Sequence, residues 1–163
     1  MDLTTAEKMK AAFRRYPTGV AVVSAAGPDG PVGLTLSSVA SVSVSPPALS
    51  FSVLGTGSAT ILLAADSYVV HLLGPRHAGL AGDFARSGGP RFTPEQGWST
   101  LPTGEPVLRD ALDALVVRPL HRLPVGDSTL VVAEVVQVLH GPEDGALVHH
   151  ARTFVTSGLT ERI

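Results

Sequence analysis

A mainly β protein with short helices, its strands rolled into a closed or split barrel, is the architecture this sequence predicts. Three observations carry that expectation. Short apolar runs alternate with Ser or Thr at a period of two, Gly and Pro punctuate the runs, and helical periodicity is confined to short stretches. A barrel removes the sheet edges that so many antiparallel-looking strands would otherwise expose. At 163 residues the chain reads most simply as one domain, residues 1–163, with no linker or internal repeat.

The elements follow in order. Thr4-Thr5-Ala6-Glu7 has the form of a capping box. Met9, Ala12, Phe13 and Tyr16 then recur at i, i+3, i+4 and i+7, so a helix is expected over about 4–16, ended by Pro17. Thr18 to Ala25 reads as one buried strand, Gly27-Pro28-Asp29-Gly30 as a turn, and Pro31 to Leu36 as the return strand. The strand carrying Ser41, Ser43 and Ser45 between Val42 and Val44 is expected to be half buried and to stop at Pro46-Pro47. Leu49, Phe51 and Val53 alternate with Ser50 and Ser52 on the way back, making a hairpin-like pair. Gly55 to Thr60 is a glycine-rich turn leading into a short helix, with Ser58 read as its N-cap. Ser67 to Leu73 is a strand, and Arg76 to Arg86 a helix with Leu80, Ala81 and Phe84 on one face. Gly88 to Glu105 is a long surface loop carrying Arg91, Phe92 and Trp98. Ala111 to Arg122 and Thr129 to His140 are long strands joined through residues 123–128. Ala146 to His150 is a last strand, and the tail over about 151–163 has no assignment.

Composition narrows the function. Apolar residues make up 44% and charged residues only 16%. So little charge leaves apolar surface to be covered, which points to a homodimer. With a net charge of −2 and no basic run, nucleic acid is not an expected partner. Cysteine is absent, which excludes disulfides and thiolate chemistry. The N-terminus lacks the apolar core of a signal peptide, and no apolar run reaches membrane-spanning length. A cytoplasmic protein that does not engage a membrane is the expectation.

The motifs exclude more than they include. His149 and His150 fall on opposite faces of one strand, and His71, His77, His121 and His140 lack ligand spacing, so no metal is expected. No G-x-S-x-G elbow occurs, and Asp127 reads as a turn residue. The Gly55–Thr60 stretch has the look of a dinucleotide fingerprint. Thr60 replaces its third glycine, however, and the acid expected about twenty residues on is missing. What remains is an anion cradle: a glycine-rich turn before a helix, where amides and hydroxyls converge.

Four segments then carry a family resemblance. FRRYPTGVAVVSA (Phe13 to Ala25), VGLTLSSVASVSVSPPALSFSV (Val32 to Val53), LAGDFARSGGPRF (Leu80 to Phe92) and GDSTLVVAEVV (Gly126 to Val136) occur in the order typical of short-chain flavin reductases. The chain resembles that family from Phe13 to about His150, the first two segments being the specific ones. The resemblance implies a split β-barrel of the flavin reductase-like, FMN-binding type, dimeric, with flavin at the subunit interface. The implied activity is NAD(P)H-dependent reduction of FMN or FAD, supplying a partner flavin-dependent monooxygenase. By position, Thr35, Leu36, Ser37 and Ser38 match the segment along the flavin ring and ribityl chain. Ser58 and Thr60 match the phosphate turn, and Phe84, Ala85, Arg91 and Phe92 the region that closes over the flavin or its phosphate.

The sequence also departs from the family pattern. Gly55, Thr56 and Gly57 offer no basic residue before Ser58. Ser128 follows Gly126-Asp127 where the family has histidine near the nicotinamide, and His71 stands where asparagine is frequent. The tail HHARTFVTSGLTERI replaces an aromatic and basic signature. No catalytic residue is assigned, and Ser128, His71 and His150 are candidates for lining the pocket. These departures define an alternative reading: a flavin-free member of the fold, with no cofactor. It would bind a hydrophobic small molecule and act as a cyclase or isomerase in secondary metabolism, as in polyketide tailoring.

Overall fold

The computed structural model describes residues 2–55 and 57–157. Helix α1 (Thr5–Arg14) starts with the expected capping box: the Thr4 hydroxyl accepts from the Glu7 amide while the Glu7 carboxylate accepts from the Thr4 amide. It stops two residues short of the expected end, with Arg15 as its C-cap. Its apolar stripe covers nothing in this chain, for α1 has no buried residue.

The expected strand over 18–25 is two strands, β1 (Thr18–Gly19) and β2 (Ala21–Gly27). Val20 is the hinge, donating to Leu147 O and accepting from Leu73 N. Across the Pro28-Asp29 turn, β2 pairs with β3 (Gly30–Leu36). Then come β4 (Ala40–Val44) and β5 (Pro47–Leu54), which form the expected antiparallel pair. The half-buried reading of β4 is corrected. A register shift between Ser41 and Ser43 makes Val42 a bulge, and Val42 and Val44 are 54% and 93% exposed. Bulges of this kind redirect side chains on an edge strand.

Helix α2 (Ser58–Leu63) follows. Ser58 is its first residue, not its cap; Gly57 holds the cap position at φ 55°, where a side chain would be strained. Then come β6 (Tyr68–Leu72), a single 3-10 turn at Pro75–His77 and α3 (Ala78–Ala85), which buries Leu80, Ala81 and Phe84 as expected. The 88–105 segment is no free surface loop. It contains a 3-10 turn (Pro94–Gln96) and β7 (Ser99–Thr100), which pairs with β8 (Pro106–Val107). The Ser24 hydroxyl donates to Pro106 O at 2.8 Å and the Ser67 hydroxyl to Glu105 at 2.5 Å, stitching the segment to the barrel. Strands β9 (Asp113–Val125) and β10 (Ser128–His140) form a hairpin through a two-residue turn, Gly126-Asp127, in place of the expected six-residue connection. Gly126 supplies the positive φ, 59°, that such tight hairpins require. Strand β11 (Leu147–His150) pairs with β1 and with β12 (Thr153–Thr156), which lies in the tail left unassigned from sequence. The rest of that tail, 158–163, lies outside the described residues.

Seven strands form one antiparallel sheet in the order β3-β2-β6-β9-β10-β5-β4. Its two edge strands, β3 and β4, are consecutive in sequence, so Ser37-Ser38-Val39 carries the chain from one edge to the other and closes the ring. This is the split barrel. The Ser38 hydroxyl bridges the split, accepting from Ser52 N at 3.0 Å and donating to Ser52 O at 3.2 Å. Inside, Val23, Leu49, Phe51, Val53, Tyr68, Val70, Val117 and Val131 pack as one core. Alternate residues of β2 and β6 face outward into further apolar clusters under α3 and the 88–112 segment. Those strands are therefore buried on both faces. No helix among the described residues is long and apolar enough to cross a membrane.

Candidate flavin and nicotinamide site

A wide cavity opens where the barrel is closed. It measures about 800 Å³ and is lined by Thr18 and Gly19 of β1, by Ser37, Ser38 and Val39 of the crossing segment, and by His149 of β11. Residues of α1 and Arg152 form its rim. That volume lies within the roughly 300–1,000 Å³ usual for small-molecule and cofactor sites. Thr18 and His149 face each other across the β1–β11 pair. The Thr18 hydroxyl is buried with no hydrogen-bond partner among the described residues. An orphaned buried hydroxyl in a cavity wall is a group waiting for a ligand or water.

The sequence-predicted site residues separate into those that reach this cavity and those that hold its frame. Ser37 and Ser38 line it and are exposed. Leu36, 9% exposed, points into the barrel core. The Thr35 hydroxyl is committed to Ala81 O at 2.6 Å, pinning α3 to β3. Ser58 and Thr60 stand exposed on the first turn of α2. They are six and eight residues along the chain from Ser52, the partner of Ser38. Ser128 lies beside that turn, because Gly55 N donates to the neighbouring Asp127 O at 2.9 Å. Three separate sequence segments thus meet along β5.

Phe84, Arg91 and Phe92 form a different unit. Phe84 is buried beneath Phe92 and Trp98, with ring centroids 5.1 and 5.5 Å away. The Arg91 guanidinium donates to the carbonyls of Phe84, Arg86 and Gly89 and lies 5.6 Å from the Phe84 ring centroid. Its hydrogen bonds close the end of α3. Ala85 is exposed beside it. This cluster presses on β3 at Gly33, where an added Cβ would stand 2.9 Å from Phe84 and 3.1 Å from Phe92.

His71 and His150 do not line the cavity. His71 is fully buried between Val22 O, 2.9 Å from Nδ1, and Leu108 N–H, which donates to Nε2 at 3.1 Å. An acceptor Nε2 requires the neutral ring with its proton on Nδ1. Burial pushes the His71 pKa down to about 4, against a smaller upward pull from the Val22 carbonyl. His150 is exposed on the opposite face of β11 from His149. Among the described residues no group of three His, Cys, Asp or Glu side chains could hold a metal ion.

Sequence reasoning missed Lys10, Arg14, Thr18 and Arg152. The first two had a readable signal, since residues four apart share a helix face. Thr18 and Arg152 enter the cavity only through the β1–β11–β12 sheet, which local pattern does not reveal.

Residues 13–158 match the family model described as the flavin reductase like domain. The chain belongs to the flavin reductase-like family. Among curated proteins, this flavin reductase-like chain is similar to an NADH:FMN oxidoreductase of Rhodococcus erythropolis, 46% identical over 136 residues, which are 83% of this chain and 70% of the relative. Among solved structures it superposes on a flavin reductase domain protein from Arthrobacter sp. FB24 with a TM-score of 0.88 at 29% identity, covering 96% of this chain and 98% of the other. It also superposes on BorF, the flavin reductase component of a bacterial two-component tryptophan halogenase, with a TM-score of 0.82 at 28% identity, covering 96% and 99%.

Proposed function

We propose that this chain is an NADH-dependent flavin reductase that binds FMN or FAD along the barrel seam and supplies reduced flavin to an oxygenase partner. The observation that carries the reading is the continuity of the site. Ser37 and Ser38 border a cavity of about 800 Å³, and the Ser38–Ser52 hydrogen bonds join them to β5, which runs into the Gly55–Thr60 turn. A flavin has this shape: a flat ring at one end and a phosphate at the other. The residues present fit it, with hydroxyls and amides at both ends and an unpartnered Thr18 hydroxyl in the wall. The turn lacks a cation, yet the exposed hydroxyls of Ser58 and Thr60 remain as donors, so the missing charge does not require the cofactor-free cyclase reading.

When bound, the flavin supplies the ring that accepts a hydride from the reduced nicotinamide. The chain's own task is positional. Ser37 and Ser38 hold the ring end against β3 and β4, while Ser58 and Thr60 hold the phosphate end. Holding two reactants in register removes much of the entropic barrier, and hydride transfer asks little acid–base work of the protein.

The same reading includes a homodimer. Met9 and Phe13 of α1, and Tyr16 just beyond it, are 56%, 64% and 64% exposed, and they border the open cavity through Phe13 and Tyr16. A second copy covering these faces would enclose the open cavity. The reading also places the protein in the cytoplasm, where reduced nicotinamide nucleotides are available. A partner enzyme that consumes the reduced flavin is supported by BorF, the reductase component of a two-component tryptophan halogenase; the reading takes that partner to be an oxygenase.

The deciding experiment is a fluorescence titration of the purified protein with FMN and FAD, followed by NADH oxidation. Micromolar binding with turnover is the expected result. Absence of binding by either flavin overturns the proposal.

A further inference from the structure

The phosphate turn carries no cation, whereas the cavity bordered by Ser37 and Ser38 carries three. Lys10 and Arg14 project from one face of α1 and Arg152 from the β11–β12 turn, all three on the cavity rim. No acidic residue lines that cavity. Among the described residues, none of the three cations takes part in an ion pair. In a chain of net charge −2, three unpaired cations around one opening make a local positive field that draws anions.

Their convergence is built into the backbone. The Ala151 amide donates to Arg14 O at 3.1 Å, tying the end of α1 to the β11–β12 turn. That turn holds Ala151 and Arg152 at φ 51° and 67°, the left-handed pair for which Asn and Gly are the usual occupants. Strain of this kind is kept where surrounding structure demands it, often at ligand clamps. Here it sets Arg152 close to Arg14, on a cavity that His149 and Thr18 also line.

We infer that Lys10, Arg14 and Arg152 form the docking point for the pyrophosphate of the nicotinamide substrate. The inference rests on the flavin reductase reading, in which Ser58 and Thr60 hold the flavin phosphate and leave this rim for the second nucleotide. Guanidinium groups suit the task, since each offers a planar fork of donors to phosphate oxygens. The adenylate end of FAD presents the same pyrophosphate chemistry, so the test separates the two sources.

ADP-ribose is the probe, because it carries the pyrophosphate but neither nicotinamide nor flavin. Its binding to the flavin-free protein is measured by calorimetry, and its inhibition of NADH oxidation is measured with FMN present. In the wild type it competes with NADH. Arg14→Ala and Arg152→Ala are each expected to raise the ADP-ribose Kd and the NADH KM about tenfold. The kcat, the FMN Kd and the melting temperature should stay unchanged, and Arg152→Lys should recover part of the loss. Added salt weakens the wild type more than the variants. An unchanged ADP-ribose Kd in the double variant overturns the inference. So does an equal loss of FMN affinity, or a loss confined to FAD. A wild type that binds no flavin overturns the reductase reading instead, and the calorimetric arm still decides whether the rim holds a pyrophosphate.

Discussion

Strand β2 and helix α1 are both apolar by pattern, yet one is buried on both faces and the other on neither. Val22 and Val23 point to opposite sides of β2 and are each 0% exposed, whereas Phe13 on α1 is 64% exposed. In β2 the barrel core takes one face and the α3 cluster the other. Helix α1 rests on this chain through backbone, as in the Ala151–Arg14 hydrogen bond, and offers its apolar stripe to the outside. An apolar pattern therefore states that a face will be covered, not what will cover it. The barrel is complete within one chain, whereas the cavity rim formed with α1 stays open in it.

The sharpest way to break that contrast is within the barrel. Phe51→Ala removes a fully buried ring in edge-to-face contact with Tyr68, centroids 5.6 Å apart. It is expected to lower stability by about 3–5 kcal/mol in chemical denaturation.

His71 tests the same wall through pH. Its pKa falls from 6.5 in the unfolded chain to about 4 in the fold, so below pH 6.5 the unfolded state binds the extra proton. Its stabilising effect is whole above that pH and is lost as pH falls towards 4, to the order of 3 kcal/mol. Denaturation midpoints across this range should decline in the wild type, and His71→Asn should flatten part of the decline. An equal decline in both would remove His71 as the cause.

On the incomplete side, Gly19 is the position to fill. It lines the cavity, and an added Cβ would meet nothing within 4 Å. Gly19→Val is expected to weaken FMN binding about tenfold or more by occupying that space, with melting unchanged. The smallest effect on folding is expected from Phe13→Asp, within about 0.5 kcal/mol for the single chain, as for exposed positions generally. Its signature is instead a shift from dimer to monomer in sedimentation.

The barrel was legible in the sequence because strand alternation is local: Leu49, Phe51 and Val53 show their inward face without knowledge of any partner. The Thr4 capping box and the Leu80-Ala81-Phe84 face were legible for the same reason. Val42 was misread because a bulge is a property of two strands, Ser41 and Ser43 against Leu49 and Ala48. Of the candidate site, the family resemblance pointed to Ser37 and Ser38, which border the cavity, and to Ser58 and Thr60, which stand exposed on α2 away from its lining. The roles of Thr35 and Arg91 were not, since their hydrogen bonds reach carbonyls on or beside α3 that only the fold brings near. The cationic rim escaped because Arg14 and Arg152 are joined by tertiary structure alone.

The crossing at Ser37-Ser38-Val39 constrains how such a protein can change. The three residues that border the cavity also complete the circumference, so an insertion there would loosen the whole wall. New specificities are more readily gained at α1 and the β11–β12 turn, which are appendages that can vary in length and charge without disturbing closure. Substrate range and foldability are thereby assigned to separate stretches of chain, and a lineage can diversify the first while the second stays fixed.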